Sequence, residues 1–500
     1  MTHLNRFGRW LAYLAGFGAT VLATIVFVYA LQARVRLPDL QAWHRITLEE
    51  EFRATAGNAP ASFDEYQALE ERLFAELEQR VLDDPEAADT QPLGRYTPGS
   101  LPARMALDTP WNRSYELAPE GEPRGAVLLV HGLTDSPYAM RAVAGTFREL
   151  GFHVVALRMP GHGTLPSALV DVRWEDWYAA VELAARHAAG RAGEGNPLYA
   201  GGFSTGAALV TLYAVRAIEN SSLPRVDGLY LLSPAIGISE FAVLTNVLAG
   251  LSFIPAFEKS DWMDVLPEYD PYKYNSFPVN AANQIYRLTK ELDRGLDEAE
   301  QTGRLGDMPR VLAFQSIVDS TITAREVVRR LLGRLPPGGG HGLVVFDVNQ
   351  RDRLRGLIAP GPIEDLEKMR QAVDLPFSLT LVGNRSPESG EIAEYTRNAG
   401  QPDVRVRDWM LRWPAGVFSL GHTALPFAAD DPLYGLSPPT GTGFNLGAIA
   451  ARGEAGALVV PLGMFARIRS NPFFEVIRAR IRESVGVPEA MDAAVETAAP

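Results

Sequence analysis

From Arg124 onward the chain alternates short apolar runs with amphipathic segments. The runs Ala126–Val130, Phe152–Leu157, Pro197–Ala200, Gly228–Leu232, Arg310–Phe314, Leu343–Phe346, Phe377–Val382 and Val417–Leu420 read as strands. They are apolar at consecutive positions, as strands buried on both faces are. Helical spacing fills several gaps between them, over Tyr138–Leu150, Glu175–His187 and Ala207–Ile218. This alternation predicts an α/β fold, a mostly parallel sheet with helices on both faces. Ser239–Asp307 and roughly 351–412 interrupt it and read as insertions over or beside the sheet. Upstream, Ser62 with Glu65 forms a capping box, and Phe63, Tyr66, Leu69, Leu73, Leu77 and Val81 follow at helical spacing. That repeat is too short for a dimerising coil and fits a helix packed on the main domain. Asp83–Pro98, acidic and bearing prolines, reads as a linker.

Trp10–Leu31 carries no charge and is flanked by Arg6, Arg9, Arg34 and Arg36. At ~1.5 Å per residue it is long enough for a hydrocarbon core of ~30 Å. A cleaved signal peptide is the alternative, but the run is longer than a typical signal core and no Ala-x-Ala site closes it. The expectation is an uncleaved single-pass membrane anchor. Arginines on both sides leave the orientation open, and the short N-terminal tail favours an extracytoplasmic domain.

The chain of 500 residues is 47% hydrophobic and 21% charged, ordinary globular values that exclude wholesale disorder. A net charge of -13 and no basic track with interleaved aromatics make nucleic acid an unlikely partner. The absence of Cys removes disulfides, thiolate metal sites and a cysteine nucleophile. Gly441-Thr442-Gly443-Phe444-Asn445-Leu446 lacks the third glycine of a dinucleotide turn, and neither a phosphate-loop Gly-Lys pair nor His-Glu-x-x-His occurs. No metal or cofactor is implied.

Gly202-Phe203-Ser204-Thr205-Gly206 follows a short apolar run and opens a helical segment. Strand, sharp turn and helix together present the serine as a nucleophile at the sheet's carboxyl edge. A serine hydroxyl needs a base, and the base needs a group to orient it. Where this turn occurs, the chain order is Ser, then Asp or Glu, then His. Of the eight histidines only His341 and His422 come late enough. His131 and His162 sit in glycine turns and read as loop-shaping residues. His422 follows a predicted strand whereas His341 precedes one, so His422 is the candidate base. Asp319, just past the strand Arg310–Phe314, is the candidate acid, with Asp347 as its rival. The backbone N–H groups of Leu133 and Thr205 are the candidate oxyanion donors.

Val127–Ser136 with its His-Gly, Pro160-Gly161-His162-Gly163 and the Gly-Phe-Ser204-Thr-Gly turn resemble the α/β-hydrolase superfamily. The likeness is greatest to its bacterial carboxylesterase and monoacylglycerol lipase branch, which is also grouped with serine aminopeptidase-like hydrolases. It implies an α/β-hydrolase fold in two parts, 124–238 and 308–500, around a lid at 239–307; the residues before it read as an anchor, 1–37, and a stalk and helical lead-in, 38–123. The charge-free Phe241–Phe257 would belong to the lid, and the acids Glu258, Asp261, Asp264, Glu268 and Asp270 after it read as a solvated rim. The expected activity is cleavage of carboxylic esters of acyl lipids or similar apolar groups. An aminopeptidase-like amidase, an acyltransferase and a non-catalytic binding domain stay open as alternatives.

Overall fold

The computed structural model describes residues 37–237, 255–352, 360–439, 443–447 and 467–487, with isolated positions at 463 and between 10 and 31. Its centre is one ten-stranded sheet. In chain order the strands are β1 (Tyr115–Leu117), β2 (Ala126–Val130), β3 (His153–Leu157), β4 (Leu198–Phe203) and β5 (Gly228–Leu232). A separate two-stranded pair, β6 (Trp262–Asp264) and β7 (Phe277–Pro278), comes next. The sheet continues with β8 (Arg310–Ser316), β9 (Gly342–Phe346), β10 (Ser378–Asn384), β11 (Glu391–Arg397) and β12 (Val404–Arg412). The spatial order is β1-β3-β2-β4-β5-β8-β9-β10-β11-β12. Strands from β3 to β10 pair in parallel, and β1, β11 and β12 are antiparallel additions at the two edges.

Alternation along each strand feeds two cores. Ala126, Leu128 and Val130 of β2 pack with the helices Trp174–Ala192, Thr205–Glu219 and Val279–Gln301. Val127 and Leu129 pack on the other face with Arg141–Glu149 and Phe474–Ser484. The helix Phe474–Ser484 thus covers that face of the sheet.

Several expectations are corrected. Residues 38–123 do not stand off as a stalk. Their helix packs on the main domain as its spacing predicts, with Phe63, Tyr66 and Leu69 in the same core as β2, and beyond that expectation β1 joins the sheet beside β3. Arg158, fully buried at the end of β3, pairs with Glu51 at 3.0 Å and Glu70 at 2.9 Å, both from this lead-in. Asp83–Pro98 is no free linker either, because it ends in the buried Arg95 and Tyr96. The segment expected as a lid is shorter than 239–307, since the helix Val279–Gln301 belongs to the core. Residues 351–412 extend the sheet through a helix, Pro360–Gln371, and the strands β10 to β12. Val417–Leu420 is not a strand. The edge of β9 that it would need is taken by β10, and β10 is closed in turn by β11.

Among the described residues no helix is long and apolar enough to cross a membrane. Half of Trp10–Leu31 lies outside the described residues; its described positions are helical, and Trp10, Tyr13, Leu14 and Phe17 among them are exposed. His3, Phe241–Ile254, Gly441-Thr442 and the chain after Val487 also lie outside them.

Candidate active site

Ser204 stands between β4 and the helix Thr205–Glu219 with φ 53°, a left-handed value that a serine adopts only when its surroundings enforce it. Its N–H donates to Leu232 O at 2.9 Å, and its carbonyl accepts from Ala235 N at 3.0 Å and Ala208 N at 3.2 Å. The flanking glycines permit the turn by closeness. A Cβ on Gly206 would fall on the carbonyls of Val130 and His131, and one on Gly202 would strike the backbone of Gly206 and Ala207.

Asp319 follows β8 and is buried. Its Oδ1 accepts from Thr321 N at 2.9 Å and Ile322 N at 3.0 Å, and its Oδ2 from Gln315 Nε2 at 2.9 Å. His422 donates from Nδ1 to Asp319 Oδ2 at 2.7 Å. Its Nε2 lies 3.0 Å from Ser204 Oγ. Because the carboxylate accepts at Nδ1, that nitrogen carries the proton and the Nε2 lone pair faces the serine hydroxyl. The Phe203 ring, 5.2 Å from the imidazole centre to centre, covers one side of it.

Strands β2 and β4 are neighbours with Val130 opposite Gly202, so the turns after them emerge side by side. Leu133 lies on the first turn. Thr205 opens the helix of the second, where its N–H has no acceptor within the helix. The two candidate oxyanion donors thus lie on turns that leave neighbouring strands.

The competing residues are engaged elsewhere. His341 sits before β9 at the opposite sheet edge, and its Nδ1 accepts from Val311 N at 3.1 Å. Asp347 accepts from Val348 N at 2.7 Å, Gln350 at 3.2 Å and Arg370 at 3.0 Å. His131 accepts from Met159 N at 3.0 Å and tilts edge-on against His162. Burial pushes His162 down to about 3 and His131 well below the usual imidazole range, so both stay neutral and shape their turns.

A cavity of about 300 Å³ opens beside the site, lined by Thr134 and Thr423, the chain neighbours of Leu133 and His422, and by Leu266, Phe277 and Phe427. Lys273 and Asp135 form a 2.6 Å ion pair in its wall. Of the acids expected as a solvated rim, Asp264 is exposed and Glu258 and Asp261 are half-buried, but the last two in the chain are not part of it. Glu268 and Asp270 are fully buried. Glu268 accepts from Asn275 N and Ser276 N, while Asp270 accepts from Tyr434 Oη at 2.7 Å and faces Arg469 at 3.4 Å. Burial raises both, Glu268 to about 7. Among the described residues no cluster of His, Asp and Glu could hold a metal. Sequence reasoning passed over Gln315, whose one signal was an amide inside an otherwise apolar strand.

Residues 121–298, which hold Leu133, Ser204 and Thr205, match the family model described as serine aminopeptidase, S33. The sheet and its flanking helices have the α/β-hydrolase fold. The chain is 28% identical over 179 residues to the thermostable monoacylglycerol lipase of Bacillus sp. (strain H-257), covering 36% of this chain and 66% of that relative, less than two thirds of its length. Its fold is similar to the metagenome-derived lipolytic enzymes LipS and LipT, at 20% identity, TM-score 0.36, 53% of this chain and 99% of that one. It is similar too to the Paleococcus ferrophilus monoacylglycerol lipase, at 20% identity, TM-score 0.33, 47% of this chain and 89% of that one.

Proposed function

We propose that the protein is a serine hydrolase that cleaves carboxylic esters of acyl lipids or similar apolar acyl groups. The observation that carries this reading is the hydrogen-bonded line from Ser204 Oγ through His422 to Asp319, at 3.0 and 2.7 Å. Ser204 Oγ attacks the acyl carbonyl while His422 Nε2 takes its proton. The carbonyl oxygen becomes an oxyanion held by the N–H groups of Leu133 and Thr205. His422 then protonates the departing alkoxide, leaving an acyl-enzyme, and water repeats the sequence to release the acid. Asp319 fixes the imidazole orientation and stabilises its cation.

An amidase acting on free amino termini needs an acid available to the substrate ammonium. Glu268 and Asp270 are buried and already hydrogen-bonded and Asp135 is paired with Lys273, while Asp264 stands exposed in the cavity wall, so the choice between ester and amide rests on the substrate comparison below. The relative named a monoacylglycerol lipase supports an acyl glycerol-like substrate. The apolar Trp10–Leu31 stretch would hold the domain at a membrane, outside the cytoplasm.

Ser204→Ala tests the nucleophile. It should abolish both ester turnover and fluorophosphonate labelling and leave the fold intact; labelling that persists overturns the assignment. On p-nitrophenyl esters kcat/KM should rise from acetate to butyrate, each buried methylene adding up to ~0.8 kcal/mol. Aminoacyl anilides should be poor substrates, and preferential cleavage of them would favour the amidase. A shortened chain beginning at Asp39 should keep its activity on soluble esters and lose more of it on lipid presented in vesicles.

A further inference from the structure

His422 reaches the site across a separation of 103 residues from Asp319, through β9 to β12 and a returning segment that joins no ladder. Carbonyls in such a segment still require donors. Val417 O accepts from Asn349 Nδ2 at 3.1 Å, Phe418 O from Asn349 N at 2.7 Å, and Leu420 O from Ser316 Oγ at 2.6 Å. Ser316 ends β8 and Asn349 lies three residues past β9, so two neighbouring strand ends grip the segment just before His422.

The Asn349 amide has one usable orientation. Its Oδ1 accepts from Asn384 Nδ2 at 3.1 Å and from Arg351 N at 3.2 Å, which leaves Nδ2 to face Val417 O. Asn384, at the end of β10, is fixed in turn by donating to Ser389 O at 2.7 Å and accepting from Gln350 N at 2.8 Å. The extension of the sheet beyond β9 thus sets the amide that sets the histidine segment. Asn349, Ser316 and Asn384 are all buried, so water does not replace a lost bond freely.

We propose that Asn349, assisted by Ser316, is a positioning residue for His422, acting through Val417–Gly421. The proposal rests on the ester-hydrolysis reading only for its kinetic arm. Misplacement of a reacting group by ~1 Å costs on the order of 100-fold in rate.

The test uses the full chain and p-nitrophenyl butyrate. Asn349→Asp keeps the acceptor for Asn384 and Arg351 and turns the donor into an oxygen facing Val417 O. It should lower kcat by roughly 10- to 100-fold with KM within about twofold. The low-field proton resonance of His422 Nδ1–H against Asp319 should weaken or broaden in the same variant. Thr380→Val breaks the 3.0 Å Thr380–Thr396 hydrogen bond in the same sheet extension and should leave both readouts unchanged. Ser316→Ala, the milder variant, should show a smaller fall in kcat and serves if Asn349→Asp does not fold. The proposal is overturned if Asn349→Asp keeps the resonance and kcat of the parent, or if Thr380→Val loses as much as Asn349→Asp does. Ester turnover surviving Ser204→Ala would instead sink the catalytic reading, and the resonance would still decide the role of Asn349.

Discussion

Ser204 and His422 face each other at 3.0 Å, yet they are held by opposite means. The serine sits on a turn enclosed by β2, β4 and β5, where backbone meets backbone with no room for a single methyl group at Gly206. The histidine sits on a segment outside the ladder, gripped by side chains and bordered by Gly421, around which a Cβ would meet nothing within 4 Å. Close-packed backbone tolerates no change of volume, whereas a side-chain clamp tolerates volume but depends on particular donors. The two halves of one site should therefore fail differently.

The largest effect belongs to the imidazole. His422→Ala should lower kcat/KM by on the order of 10⁴-fold or more, while His341→Ala changes it by at most a few-fold. Steady-state kinetics on a soluble ester checks this, and the reverse ranking would break the assignment of the two histidines.

Next come the glycines. Gly206→Ala should cost about 3 kcal/mol or more, because backbone carbonyls cannot step aside as a flexible side chain can. Gly421→Ala should change stability by under ~0.5 kcal/mol, its φ of -86° being open to any residue. Urea denaturation of both variants sharpens the contrast; equal losses would remove it.

Much of the first half was legible in advance because its signals are local. Ala126–Val130 and Gly228–Leu232 have as strands the bounds that their apolar runs mark. The turn around Ser204 is readable because close approach requires glycine on both sides of it. The second half hides its logic in distant partners. Val417–Leu420 is as apolar as a strand, and only the strand already beside β9 shows that no ladder is open to it. Glu268 and Asp270 resemble a charged rim until Asn275, Ser276, Tyr434 and Arg469 are seen around them. The donors that carry the histidine segment, Ser316 and Asn349, lie far from it in sequence and have no motif.

The lead-in offers a third way of holding and a smaller test. His44 is buried with Nε2 3.0 Å from Ser276 Oγ, and burial, with the nearby Arg45 cation, lowers it from 6.5 to about 4. Between those values the unfolded chain takes up a proton that the folded one refuses. This contribution to stability is therefore complete above pH 6.5 and lost as pH falls towards 4, by up to roughly 3 kcal/mol. His44→Gln should flatten that part of the curve of unfolding free energy against pH. An unchanged slope would mean that the ring protonates in place. Smallest of all, Ser62→Ala should cost about 1 kcal/mol in chemical denaturation, the worth of the cap its side chain gives Glu65 N.

The lead-in begins against a segment that borders the cavity. Leu40 is buried against Trp262 and Val265, and Lys259 Nζ donates to Leu37 O at 3.0 Å and pairs with Asp39 at 2.9 Å. Five residues lie between Leu31 and Leu37, a span of at most roughly 20 Å for any fully extended chain of that length. A bilayer holding the chain as far as Leu31, as proposed, would keep Leu37 within that reach of its surface, and Leu40 just after it packs on the segment Trp262–Val265 that runs into the cavity wall at Asp264 and Leu266. Search for substrate would then run across a plane instead of through a volume.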